Sequence, residues 1–123
     1  TVYGYTPMMV SVQCVQKTMD HCNHACVQYV LKDRYQKEFR GVCSCEFCYN
    51  TIYNTLPTSL LKEKEKAEKL GVKAYRLSFT TETQQETEKI VRAFVDVYLR
   101  GQKPDGQMQT EETTKGHFQR GVE

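Results

Sequence analysis

Residues 14–48 read CVQKTMDHCNHACVQYVLKDRYQKEFRGVCSCEFC, and this stretch holds all six cysteines of the 123-residue chain. Cys45-Glu46-Phe47-Cys48 is a C-x-x-C knuckle, a spacing that lets two thiolates reach one metal ion from a single tight turn. A second ligand pair has to come from elsewhere, and Cys14 and Cys22 offer one, with seven residues between them. The segment joining the two pairs has its own pattern. Val27-Gln28-Tyr29-Val30-Leu31-Lys32 alternates loosely, Asp33-Arg34-Tyr35-Gln36 supplies a turn, and Glu38-Phe39-Arg40-Gly41-Val42 returns as the second arm of a hairpin. Cys26 and Cys43 are surplus to the quartet, and His21 and His24 beside them read as exposed polar residues. Four thiolates so arranged suit Zn²⁺ or an iron–sulfur cluster, and spacing does not choose between these. Six cysteines also permit three disulfides. A redox-active C-x-x-C belongs at a helix N-terminus after a strand, whereas here it precedes Tyr49-Asn50-Thr51-Ile52-Tyr53-Asn54, a weak helix former.

Outward from this stretch the chain divides in two. Residues 1–56 read as β-rich, with Met8–Gln13 a short strand. Residues 57–101 read as helix–strand–helix. Thr58 or Ser59 is placed to cap a helix running through LLKEKEKAEKL, which stops at Gly71. Val72–Phe79 alternates, with Tyr75, Leu77 and Phe79 on one face. Thr83 with Glu86 matches a capping box ahead of a helix bearing Ile90, Val91, Phe94, Val95 and Tyr98, and Gly101 ends it. Residues 102–123 form a polar linker and a tail, Lys115-Gly116-His117-Phe118-Gln119-Arg120-Gly121-Val122-Glu123. The expected fold class is α+β or a fragment of an α/β fold. One strand between two helices is an incomplete sheet, since parallel strands need neighbours before both faces are covered. That, and a start without Met, suggests a piece of a longer protein.

Composition narrows the partners. Leu, Ile, Val and Phe make up about a fifth of the chain and there is no Trp, so the core is thin. The net charge is +2, with six basic and four acidic residues in 1–62 and eleven of each thereafter. Neither part is a basic patch, which argues against autonomous nucleic-acid binding. No apolar run approaches the roughly 20 residues that span a bilayer, and the opening residues carry no signal-peptide pattern.

Taken in order, Met9-Val10-Ser11-Val12-Gln13-Cys14, Cys22, Leu31-Lys32-Asp33-Arg34 and Cys45-x-x-Cys48-Tyr49-Asn50-x-Ile52-Tyr53-Asn54 resemble the collagenase-like peptidases of unknown catalytic type (peptidase family U thirty-two). The resemblance continues through Leu70-Gly71-Val72-x-Ala74-Tyr75-Arg76-Leu77-x-Phe79-Thr80-x-Glu82 and Thr114-Lys115-Gly116-His117-Phe118-x-Arg120-Gly121-Val122-Glu123. It implies an intracellular, mostly bacterial and cytoplasmic protein whose catalytic region is a TIM-type barrel, with this chain its C-terminal portion. It implies a hydrolase acting on collagen-like peptides or, in cluster-bearing relatives, hydroxylation of RNA or ubiquinone. By position, Cys14, Cys22, Cys45 and Cys48 correspond to the quartet that holds a [4Fe–4S] cluster in several relatives; Cys26 and Cys43 depart from that pattern. The partners implied are the rest of the barrel and, through it, a peptide or RNA substrate. The isolated chain is expected to be inactive.

Three functional classes follow: part of an enzyme, a structural zinc module without catalysis, and a secreted disulfide domain. A further expectation concerns anion binding. Arg76, on the strand 72–79, is expected to point along a barrel strand, with His117 and Arg120 folding back across its mouth to meet phosphate or carboxylate.

Overall fold

The computed structural model describes residues 1–104 and 112–118. It is α+β, and it divides into two compact units, one spanning Thr6–Thr55 and the other combining Thr1–Tyr5 with the chain from Leu56 onward. The first two strands fall on either side of that division: β1 (Tyr3–Gly4) belongs to the second unit and β2 (Pro7–Ser11) to the first.

In Thr6–Thr55, β2 is followed by a single helical turn, α1 (Val15–Thr18), and then by β3 (Val27–Lys32), β4 (Glu38–Ser44) and β5 (Tyr49–Tyr53). The four strands form an antiparallel sheet in the order β2-β5-β4-β3. The expected hairpin is present as β3 and β4, in register from Val27 opposite Cys43 to Lys32 opposite Glu38. Asp33 builds its turn: one carboxylate oxygen accepts from the backbone N–H groups of Tyr35 (2.8 Å) and Lys37 (2.9 Å), an Asx-type bond that substitutes for backbone pairing. The C-x-x-C residues Cys45–Cys48 make the tight turn from β4 into β5, closed by the Cys48 N–H on the Cys45 carbonyl at 3.4 Å. Cys48 takes the left-handed conformation there, at φ 51°.

Residues directly opposite one another share a face. Met9, Ile52, Gly41 and Tyr29 therefore lie in one row across all four strands, and Ser11, Asn50, Cys43 and Val27 in the next. The first row explains a glycine. The Tyr29 ring lies over Gly41, where a Cβ would come within 2.3 Å of two ring carbons, so a side chain at 41 requires the ring to move aside. In this unit the buried side chains are Cys14, Cys43 and Asn50, while Met8, Met9, Val10 and Val30 remain exposed.

The second unit has a conventional core. Val2, Tyr3, Leu60, Leu61, Ile90, Phe94 and Val97 form one buried cluster, with Leu77, Phe79 and Phe118 packed against it. β1 pairs antiparallel with β6 (Thr58–Ser59). A 3₁₀ turn, Leu61–Glu63, leads into α2 (Lys64–Lys69), and α3 (Gln84–Tyr98) supplies Ile90, Phe94 and Val97 to the cluster. α3 begins at the capping box read from sequence. The Glu86 N–H donates to the Thr83 hydroxyl at 3.3 Å, and the Glu86 carboxylate accepts the Thr83 N–H at 2.7 Å. Gly71 ends the preceding helical segment at φ 69°, its N–H on the Glu68 carbonyl at 3.0 Å.

Three expectations are corrected. Thr58 and Ser59 do not cap a helix; they pair with β1, so the chain enters the next element extended, and the expected helix of residues 60–70 becomes a 3₁₀ turn and a short α-helix. Val72–Phe79 is not a strand. Its one ladder contact is a parallel bridge from Leu77 to Tyr3, flanked by bonds between Val2 and Arg76 and between Ser78 and Tyr3, because β1 is only two residues long. Finally, the residues after the knuckle form β5, a central strand absent from the sequence reading.

Candidate functional site

All six cysteines lie in the Thr6–Thr55 unit, and all are free thiols. The antiparallel register gathers them. Cys26 immediately precedes β3, whose first residue pairs with Cys43 on β4; Cys45 immediately follows β4 and donates its N–H to the Cys26 sulfur at 3.4 Å. Cys48 lies across the turn from Cys45, its thiol donating to the Cys45 carbonyl at 3.7 Å. Cys14 sits at the N-terminal boundary of α1, without a side-chain capping bond, and puts its Sγ 3.3 Å from that of Cys43. Cys22 lies between α1 and β3 and contributes to the electrostatics of Cys45.

Exposure separates these thiols into three groups. Cys14 and Cys43 are buried, Cys45 is half-buried, and Cys22, Cys26 and Cys48 are exposed. Burial pushes the Cys45 thiol above its ordinary range, and the negative charge that Cys22, Cys48, Cys26 and Cys14 would carry pushes it further. Cys43 rises to about 11, chiefly by desolvation and then through its contact with Cys14. Cys14 goes the other way, held down first by the Lys17 backbone N–H at the start of α1 and then by Cys43. In this pair one thiol gains acidity at the other's expense, whereas several thiolates at one place need a cation to balance them. Among the described residues, no group of three or more His, Cys, Asp or Glu side chains already stands in metal-holding geometry.

The other residues singled out in the sequence have different fates. His21 and His24 are exposed, and His24 is left-handed at φ 57°. In the second unit, Arg76 is exposed and its carbonyl accepts from Val2 at 2.8 Å. His117 is exposed within the turn Gly116–Phe118. Arg120 lies outside the described residues.

Two features of the sheet were not read from the sequence. Asn50 is 1% exposed, with its amide N–H₂ on the Gln13 carbonyl. A cavity of about 260 Å³ opens over the sheet between Met9, Met19, Tyr29, Leu31 and Ile52. The signal for Asn50 was available in the C-Y-N run; its burial follows from pairing opposite Cys43, which only the strand order reveals. No family model, no curated protein and no solved structure matches the chain.

Proposed function

We propose that residues 6–55 are a metal-binding module whose cysteines hold Zn²⁺ or a [4Fe–4S] cluster, within the C-terminal part of a larger protein akin to the collagenase-like peptidases. The observation that carries this reading is that Cys26 and Cys48 contact Cys45 at the Cys45–Cys48 turn and that Cys22 and Cys14 bear on its charge, all as free thiols, in a unit with almost no apolar core. Soft thiolate donors are the chemistry that Zn²⁺ and iron–sulfur clusters take. Cys45 and Cys48 would supply one ligand pair and Cys14 and Cys22 the other, as the family resemblance implies. The bound group would cross-link α1, the segment before β3 and the β4–β5 turn, giving the sheet the stability its side chains lack.

In the same reading the second unit is the end of an α/β barrel whose earlier strands belong to the parent. Hydrolysis of peptides, or hydroxylation of RNA or a quinone, belongs to that whole protein in the cytoplasm. Arg76, His117 and Arg120 would meet an anionic group of its substrate. A structural zinc module without catalysis is the second reading, favoured by the tight thiol turn and the thin core.

Anaerobic purification followed by elemental analysis and visible spectroscopy tests the proposal. A brown protein with stoichiometric iron and sulfide carries a cluster; a colourless protein with one equivalent of zinc is the structural module. Anaerobic protein free of both, with a folded sheet, overturns the metal-binding reading.

A further inference from the structure

Cys43 stands apart from the proposed quartet, yet its sulfur rests against that of a quartet member, Cys14. The Cys43 side chain is fully enclosed, and its Sγ lies 3.3 Å from that of Cys14, closer than two unbonded sulfurs normally rest. Both backbones are fixed by hydrogen-bonded structure. Cys43 sits inside β4, opposite Val27 on one side and Asn50 on the other. The Cys14 carbonyl accepts from the backbone N–H of Thr18 at 3.0 Å and from its hydroxyl at 2.9 Å, which pins it to the start of α1. The two residues are 29 apart in sequence, so the fold rather than chain proximity has brought them together. A disulfide needs sulfurs about 2.05 Å apart. From the observed separation that requires a shift of roughly 1 Å, within the reach of side-chain rotation.

We infer that Cys14 and Cys43 are an oxidisable dithiol, which a low-molecular-weight disulfide such as glutathione disulfide converts into an intramolecular disulfide. Cys14, 7% exposed against 0% for Cys43, is the less enclosed of the two and the one that takes the oxidant in this scheme. Its thiolate attacks one sulfur of glutathione disulfide, forming a mixed disulfide and releasing one glutathione thiolate, which takes up a proton. Cys43 then loses its proton and attacks the Cys14 sulfur, and the second glutathione leaves. In sum, two thiols become one disulfide, and one molecule of oxidant is reduced to two of glutathione. The consequence for a metal rests on the function proposed above: with Cys14 in the disulfide, the quartet loses one ligand and the metal is released. The dithiol itself does not depend on that reading.

The full chain, with and without added zinc, is treated with glutathione disulfide, remaining thiols are blocked with N-ethylmaleimide, and tryptic peptides are sequenced by mass spectrometry. The expected product joins the peptide containing Cys14 to the one containing Cys43, with the linkage at Cys43 and not at Cys45 or Cys48. In the zinc-loaded sample, zinc appears in solution in step with that product. Cys43→Ala should halt Cys14 at the glutathione adduct, since no resolving thiol remains beside it. Linkage of Cys14 chiefly to Cys22, Cys26, Cys45 or Cys48 overturns the inference. So does recovery of Cys14 and Cys43 both carrying maleimide after the exposed thiols have reacted. If untreated protein binds no zinc or cluster at all, the metal-binding reading fails, and the cross-link map still decides the dithiol.

Discussion

The two units are stabilised by different chemistry. The unit containing α3 buries seven hydrophobic side chains in one cluster, with Tyr3 against Phe79 and Phe94 at ring separations of 5.5 and 6.0 Å. The four-stranded unit has more regular hydrogen bonding, yet its enclosed side chains are two cysteines and an asparagine. Backbone pairing of itself adds little net stability, because the unfolded chain makes equivalent bonds to water. A sheet without a packed face therefore depends on something other than burial, whereas the other unit depends on burial almost entirely. The contrast indicates where each unit is vulnerable.

The largest effect is expected at the knuckle. Replacing Cys45 with Ser should abolish the ordered sheet of residues 6–55, since structural zinc contributes an apparent ~10–16 kcal/mol at neutral pH in finger peptides. Cys26→Ser should be tolerated. Amide chemical-shift dispersion for β3, β4 and β5 is the readout, and equal damage from all six serine replacements would point to three disulfides instead. The contrast would break if Cys45→Ser left the sheet intact.

The next effect belongs to the packed unit and should be indifferent to metal. Phe94 is 4% exposed within the cluster, and Phe94→Ala should cost about 3–5 kcal/mol. Urea unfolding followed by the helical signal of α3 measures it. A loss that vanished when a chelator was present would tie this core to the metal and erase the distinction between the units.

A smaller effect sharpens the comparison through pH. Glu63 is 8% exposed and is gripped by Lys115 and by Lys66, the latter at 2.8 Å. The Lys115 and Lys66 bonds lower its pKa from 4.5 to about 2. A carboxyl depressed in the folded state stabilises the fold above its unfolded pKa, and that stabilisation fades as pH falls from ~4.5 towards ~2. The thermal midpoint of α3 should drop across this window. Glu63→Gln should begin lower at neutral pH and show a shallower drop; parallel curves for the two proteins would assign the acid sensitivity elsewhere.

Legibility in the sequence followed the range of the interactions. The β3–β4 hairpin, the Thr83–Glu86 capping box and the left-handed Gly71 were readable because each is decided by residues within one turn of each other. β5 was not, because Asn50 occupies the enclosed position that a hydrophobic residue would mark, and its place is decided by neighbours on two other strands. Val72–Phe79 misled for the opposite reason. Its alternation is genuine, but a strand also needs a partner of its own length, and β1 offers two residues. At the thiol cluster, spacing picked out the C-x-x-C turn, while the Cys14–Cys43 contact depends on α1 standing beside β4, which no count of intervening residues reveals.

The tyrosine laid over Gly41 has an evolutionary corollary. With 2.3 Å between the ring and the place of a Cβ, a side chain at 41 displaces the ring at 29, which couples the two positions. A descendant that acquires alanine at 41 must either swing the ring at 29 aside or shed it. Losing the ring first is permissive, because it frees 41 to accept a side chain. Substitution history at this pair should thus be directional, with Tyr29 replaced before Gly41. The double variant Tyr29→Val with Gly41→Ala should accordingly fold better than Gly41→Ala alone.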